Sequence, residues 1–201
     1  MKRRTVWGVF AAAGVVALIG LTGCASNESL AQQYRDGNDK GYISGDSRVA
    51  EIPPGQRGVP VDFEGVTENG EQVSSNDYRG DVLVVNFWYA ACGPCIIEAP
   101  LLEQVWQEFK SQDVSFLGVN TYDQPATARS FAEDNGVTYP SVIDVNDGRV
   151  KLAFARITPI QATPTTLVLD RQGRVTARII GQLASASILS TLVKDALAET
   201  S

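Results

Sequence analysis

The chain has no histidine among its 201 residues. That absence excludes a Ser–His or Cys–His catalytic pair and any imidazole metal ligand. Cysteine is scarce too, with three in the chain. A tetrahedral zinc site needs four ligands, and three thiolates fill one only with help from carboxylates, so no metal site and no cofactor are expected. Positive charge is in short supply: 17 Lys and Arg stand against 23 Asp and Glu, for a net charge of −6. Nucleic acid is held by clustered Lys and Arg, so this balance argues against it as a partner. What is present is ordinary for a globular chain, with 44% apolar and 20% charged residues, which argues against wholesale disorder. The length suits one domain with extra segments, and no internal repeat is visible.

The N-terminus lacks an apolar run long enough for a membrane span. After the basic start Lys2-Arg3-Arg4, the run from Val6 to Leu21 has 16 residues, against the roughly 20 a spanning helix needs. It suits the core of a signal peptide. It ends in Leu21-Thr22-Gly23-Cys24, which resembles the lipobox of bacterial lipoproteins. The resemblance implies cleavage before Cys24, lipidation of its sulfur, and a domain held by that lipid anchor at the outer face of the cytoplasmic membrane. An uncleaved signal anchor with an idle Cys24 is the plainer alternative, and it exports the domain equally. Loss of residues 1–23 would remove three bases and no acids, leaving 14 basic against 23 acidic residues, net −9. Anionic lipid repels such a body, so a covalent anchor makes sense where electrostatics would not hold it. Residues 24–58 read as the lipidated cysteine and a polar tether ending in Pro53-Pro54-Gly55, with a reach of roughly 30–35 Å. A partly ordered extension, with a strand near Tyr42-Ile43, is the alternative. Residues 59–201 form the globular domain.

Within that domain strands and helices alternate. Val61–Val66 and Gln72–Val73 flank Asn69-Gly70, a hairpin signal whose two central positions favour φ > 0. Residues 82–88 are nearly all apolar, as in a central strand buried on both faces. A helix follows, with Leu101, Leu102, Val105, Trp106 and Phe109 on one side. Further strands are expected over 114–119, 139–145, 165–169 and 174–180. Further helices are expected over 126–135, 149–154 and 185–197, the last with Ile188, Leu189, Leu192, Val193 and Leu197 inward. This order implies an α/β domain with one mixed sheet and helices on both faces.

The chemistry sits in Cys92-Gly93-Pro94-Cys95, directly after the buried strand. Residues three apart share a helix face, so the sulfurs can meet. Cys92 at the helix start would face free backbone N–H groups, which favour its thiolate. Cys92 is then the attacking, accessible thiol and Cys95 the one that resolves a mixed disulfide. A static disulfide or half of a metal site are the alternatives. The first closes too small a loop to gain much chain entropy, and the second has no other ligand pair. Glu98 lies one turn beyond Cys95, amid Ile96, Ile97 and Ala99. In apolar surroundings its carboxyl would hold a proton to higher pH and could pass it to a thiol; a solvated helix residue is the alternative.

Asn86-Phe87-Trp88 before Cys92-Gly93-Pro94-Cys95, then Glu98 and Pro100, and later Ala162-Thr163-Pro164-Thr165-Thr166 with Asp170-Arg171-Gln172-Gly173, resemble the TlpA/ResA family of thioredoxin-fold thiol-disulfide oxidoreductases. The similarity covers about residues 59–198. It implies a thioredoxin fold with an N-terminal β-hairpin and a central αβ insertion, and catalysis by Cys92, Cys95 and Glu98. It also implies a cis peptide at Thr163-Pro164 facing the cysteines, with Trp88, Gly93, Pro94, Thr163 and Pro164 binding substrate. Asn86 stands where thioredoxin has a buried Asp; it cannot accept a proton, which leaves that task to Glu98. Pro100 would bend the helix. The implied partners are a disulfide-bearing protein, apocytochrome c among them, and a membrane thiol-electron transporter as donor. The departures are Ala91, where many relatives carry Trp, and Ile96-Ile97, where charge is common. They make the rim smaller and more apolar.

Overall fold

A computed structural model describes residues 48–199. Strands β1 (Val49–Glu51), β4 (Val82–Trp88), β5 (Val114–Asn120), β6 (Ser141–Ile143), β7 (Thr165–Leu169) and β8 (Val175–Ile180) form one sheet in the order β1-β8-β7-β4-β5-β6. Strands β4, β5 and β6 run parallel, while β7 opposes β4, β8 opposes β7 and β1 opposes β8. Every residue of β4 is buried, because helices cover both faces. On one face α1 (Gly93–Phe109) and α4 (Ala186–Ala198) pack over Val82, Val84 and Phe116. The helix α2 (Pro125–Asn135) adds Ala128 and Phe131 against Trp88 and Ala99. On the other face α3 (Arg149–Ala155) lays Val150 and Phe154 over Leu83, Val85 and Phe87. The hairpin of β2 (Glu64–Val66) and β3 (Gln72–Ser74) meets the sheet through a bridge from Thr67 to Val142. The mixed α/β sheet with two covered faces, the hairpin and the α2–β6 insertion all match the expected architecture.

Local chemistry sets the boundaries. Pro125 opens α2, where a missing N–H costs nothing, and Gly136 closes it at φ 67°, its N–H reaching back to Ala132 and Glu133. Helix α1 runs through Pro100 without interruption. The β7–β8 turn is held by the Asp170 carboxylate, which accepts from the N–H groups of Gln172 and Arg174.

Two expectations need correction. The tether does not extend to residue 58: β1 pairs with β8, and the Ile52 N–H donates to Thr176. A 3-10 turn over Pro54–Gln56 then leads to a buried Arg57. The Tyr42-Ile43 strand and the Cys24 lipobox lie outside the described residues. In the hairpin, the Gly70 N–H donates to Thr67 O and the Thr67 N–H to Glu71 O. The central pair of the turn is therefore Glu68-Asn69, with Gly70 at the fourth position at φ 85°. The loop is longer than the two-residue turn expected because the buried Glu68 carboxylate accepts from the Ser141 N–H and pins the tip to β6.

Candidate active site

Strand β4 ends at Trp88, and the chain crosses three residues before turning into α1. Cys92 is the N-cap of that helix, and the Cys95 N–H donates to its Sγ at 3.2 Å. Pro94 falls in the first turn, where no donor is lost. The two sulfurs are joined in a disulfide, with Cα atoms 5.2 Å apart. Position at the helix N-terminus and an N–H directed at sulfur both favour thiolate at Cys92 once the bond is reduced. Accessibility does not separate the cysteines in this oxidised form: Cys92 is 3% and Cys95 2% exposed. The expected open Cys92 is therefore covered, with the exposed Ala91, Gly93 and Pro94 around it.

The Thr163-Pro164 peptide is cis, and the Thr163 carbonyl oxygen lies 4.0 Å from Cys92 Sγ. Thr163 is half-buried and Pro164 buried. The Pro164 carbonyl accepts from the Gly181 N–H, which ties the loop to the end of β8. Trp88 is not at the rim. It is 5% exposed, its ring packs at a tilt against Phe131 with centroids 4.4 Å apart, and its indole N–H donates to Ser141 Oγ. It packs behind the disulfide, not where a substrate would touch it. Even-numbered residues of β4 face α1, and that phase sends Trp88 into the interior.

The same phase places Asn86 under Glu98. The Glu98 carboxylate is fully buried, with Oε1 accepting from Asn86 Nδ2 and Oε2 from the Leu183 N–H, both at 2.8 Å. Burial pushes its pKa from 4.5 up to about 7, and the hydrogen bonds from Leu183 and Asn86 hold it from going further. Its apolar neighbours in sequence are not the reason, because Ile96 and Ile97 point outward, 44% and 58% exposed. Glu98 is buried by β4 and the segment after β8. Asn86, set aside as unable to accept a proton, serves as a donor to Glu98 and also bonds Thr166 Oγ1. The period-2 pattern of β4 against the inward face of α1 carried that signal.

Two supports had no sequence signal. Fully buried Asn120 accepts from the N–H groups of Tyr122 and Asp123, and the Asp123 carboxylate accepts from the Ala90 N–H. That clamp fixes the loop leading into Cys92. Gly118 supplies the space in which Trp88 and Ser141 meet. A Cβ there would lie 2.1 Å from Ser141 Oγ and 2.8 Å from Trp88 Nε1. Gly118→Ala is expected to destabilise the domain by about 1–3 kcal/mol through overpacking. Urea unfolding with an unchanged midpoint would show that the pocket yields.

Residues 57–178 match the AhpC/TSA family. The chain is 34% identical over 127 residues to the thiol-disulfide oxidoreductase ResA of Geobacillus kaustophilus, covering 63% of this chain and 70% of that one. It is 29% identical over 120 residues to ResA of Bacillus subtilis, covering 60% and 64%. Among solved structures, a secreted thiol-disulfide isomerase from Corynebacterium glutamicum superposes with a TM-score of 0.68 at 26% identity, covering 79% of this chain and 97% of that one. A DsbF homologue from Corynebacterium diphtheriae gives 0.65 at 27%, covering 77% and 96%.

Proposed function

We propose that this chain, which belongs to the AhpC/TSA family and is a thiol-disulfide oxidoreductase of ResA type, works as a lipid-anchored reductase outside the cytoplasmic membrane, with the cysteine pair of apocytochrome c as substrate. The observation that carries the chemistry is the Cys92–Cys95 disulfide at a helix N-terminus facing the Thr163-Pro164 cis peptide. In the reduced enzyme the Cys92 thiolate attacks one sulfur of the substrate disulfide, and the second substrate sulfur leaves as thiolate. The Cys95 thiolate then attacks Cys92 Sγ, which closes the disulfide seen here and releases the first substrate sulfur. Two electrons pass to the substrate. A membrane dithiol donor restores them. Glu98 stands three residues from Cys95 on the same helix face, and its carboxyl changes protonation near pH 7, so it can exchange protons with the thiols. Thr163 offers its backbone to the substrate strand.

The N-terminal anchor rests on Leu21-Thr22-Gly23-Cys24. Among the described residues no helix is long and apolar enough to cross a membrane. One experiment tests both parts. The full chain carrying Cys95→Ser is expressed in a host that makes c-type cytochromes, with and without Cys24→Ala. The expected result is a mixed disulfide between Cys92 and an apocytochrome c in the membrane fraction, and loss of both the lipid and the cleavage before residue 24 with Cys24→Ala, read by mass analysis of the N-terminus. Capture of many exported proteins without apocytochrome would instead assign a general role in disulfide exchange on exported proteins. Unchanged N-terminal processing together with unchanged attachment of the Cys24→Ala chain would refute the lipid anchor.

A further inference from the structure

The C-terminal ends of β4, β5 and β8 and the N-terminal end of β7 meet at the disulfide. The stretches that converge there, 82–97, 114–122, 157–169 and 179–193, contain no Asp, Glu, Lys or Arg, in a chain that is 20% charged. The charged residues that border this end are engaged within the fold: Glu98 accepts from Asn86 and Leu183, Asp144 from the N–H groups of Val150 and Lys151, and Arg178 donates to Thr158 Oγ1. The Asp123 carboxylate is occupied by the Ala90 N–H and Asn120 Nδ2. Arg48 lies at the outer edge of the sheet, where its carbonyl accepts from the Ile180 N–H. The opposite end carries Asp81, Asp113, Arg57, Asp170 and Arg174.

Large apolar side chains stand exposed beside this uncharged end. Ile96 and Ile97 follow Cys95 at 44% and 58% exposure. Tyr122 is 72% exposed, its ring 5.7 Å from that of Tyr89, three residues before Cys92. Tyr122 is not on a loose loop: its N–H and that of Asp123 are held by the buried Asn120, and Asp123 is bonded to Ala90. A rigid aromatic on the surface loses little entropy when it is covered, which is the property of an interface anchor.

We propose that Ile96, Ile97 and Tyr122 form a specificity collar that selects substrates whose reacting cysteine is flanked by uncharged, apolar residues. The inference rests on the thiol-disulfide chemistry of the site and not on apocytochrome c. A substrate sulfur bonded to Cys92 brings its neighbouring residues onto this surface, so the collar is continuous with the reacting group. A flanking Leu or Phe covers Ile96, Ile97 or Tyr122 and removes apolar area from water. A flanking Lys or Glu gives up hydration with no partner of opposite sign among the four converging stretches.

The test uses reduced enzyme and three oxidised peptides that share one Cys-Ala-Ala-Cys disulfide, flanked by Leu and Phe, by Lys, or by Glu. The expected kcat/KM for the apolar peptide exceeds that for either charged one by about tenfold, the equivalent of ~1.4 kcal/mol. In the triple variant Ile96→Ser, Ile97→Ser, Tyr122→Ser that ratio falls to about one. The readout is a ratio within each protein, so a general loss of activity or stability does not move it. Equal rates for the three peptides with the wild-type chain, or an unchanged ratio in the variant, overturns the proposal. Reduction of hydroxyethyl disulfide by the wild-type chain separates this outcome from a failure of the exchange chemistry.

Discussion

Replacing Arg57 with alanine is expected to lower the unfolding free energy by about 3 kcal/mol, the low end of the cost of removing one partner from a buried ion pair. The Arg57 side chain is 2% exposed and Asp170 4%. The guanidinium donates to Asp170 Oδ2 at 3.1 Å, to both oxygens of Glu199 at 2.5 and 2.6 Å, and to the Ile52 carbonyl at 3.0 Å. It thereby joins the residue after the Pro54–Gln56 turn to the β7–β8 turn and to the residue after α4. Removal strands the Asp170 charge with Arg174 as its remaining cation, while Glu199, 26% exposed, can turn to water. That remaining partner and that escape keep the cost near the low end. Arg57→Lys keeps the charge and gives up the two-pronged grip on Glu199, so it should recover part of the loss. The measurement is urea unfolding of the oxidised protein at constant slope. A midpoint shift worth less than about 1 kcal/mol would demote the cluster to surface decoration.

Replacing Glu98 with glutamine should flatten the dependence of stability on pH. Burial raises the carboxyl from 4.5 to about 7 in the folded chain, so folding favours the protonated form. The associated stability is fully present below pH 4.5 and is lost as pH rises through 7. A shift of that size corresponds to about 3 kcal/mol. Glutamine has the shape of the protonated acid: its oxygen can keep the bond from the Leu183 N–H, and its NH2 finds an acceptor when the Asn86 amide turns its oxygen towards it. The variant should therefore match the wild type near pH 4.5 and exceed its stability at pH 8. It should also exchange disulfides more slowly, because the proton site beside the thiols is gone. The reduced cysteines should titrate lower, since an ionised Glu98 no longer repels the Cys92 thiolate. Paired unfolding curves and iodoacetamide rates from pH 4 to 9 decide the matter. A constant offset between the two proteins across that range would mean that Glu98 does not titrate near neutrality.

The parts of this protein that sequence made visible are those fixed by local rules. The apolar run 82–88 has the length and texture of a strand buried on both faces, Gly136 stops a helix, and Cys92-Gly93-Pro94-Cys95 needs only helix spacing to place its sulfurs. The illegible parts depend on partners far along the chain. Arg57 sits in a Pro- and Gly-rich stretch that reads as tether, and its partners are 113 and 142 residues away. Glu98 was rightly expected to be buried, but for the wrong reason. The helix turns Ile96 and Ile97 outward, and Asn86 and Leu183 supply the enclosure. The family resemblance implies substrate binding by Trp88, although the alternation along its own strand points it inward. Gly118 gave no signal at all, because the space it leaves belongs to Trp88 and Ser141 on neighbouring strands.

The antiparallel pairing of β1 with β8 has a practical consequence. It brings the chain into the described domain at Arg48, beside Ile180, whose neighbour Gly181 bonds to Pro164 of the loop facing Cys92. The chain's other described end, Glu199, is fastened by Arg57 at the far pole of the sheet. Immobilisation on a chip or electrode is therefore directional. Coupling through residue 199 leaves the disulfide looking into solution, whereas coupling through residue 48 turns it toward the support. Surface-confined voltammetry of the cysteine pair would respond to which end carries the linker, even though the folded domain is the same in both cases.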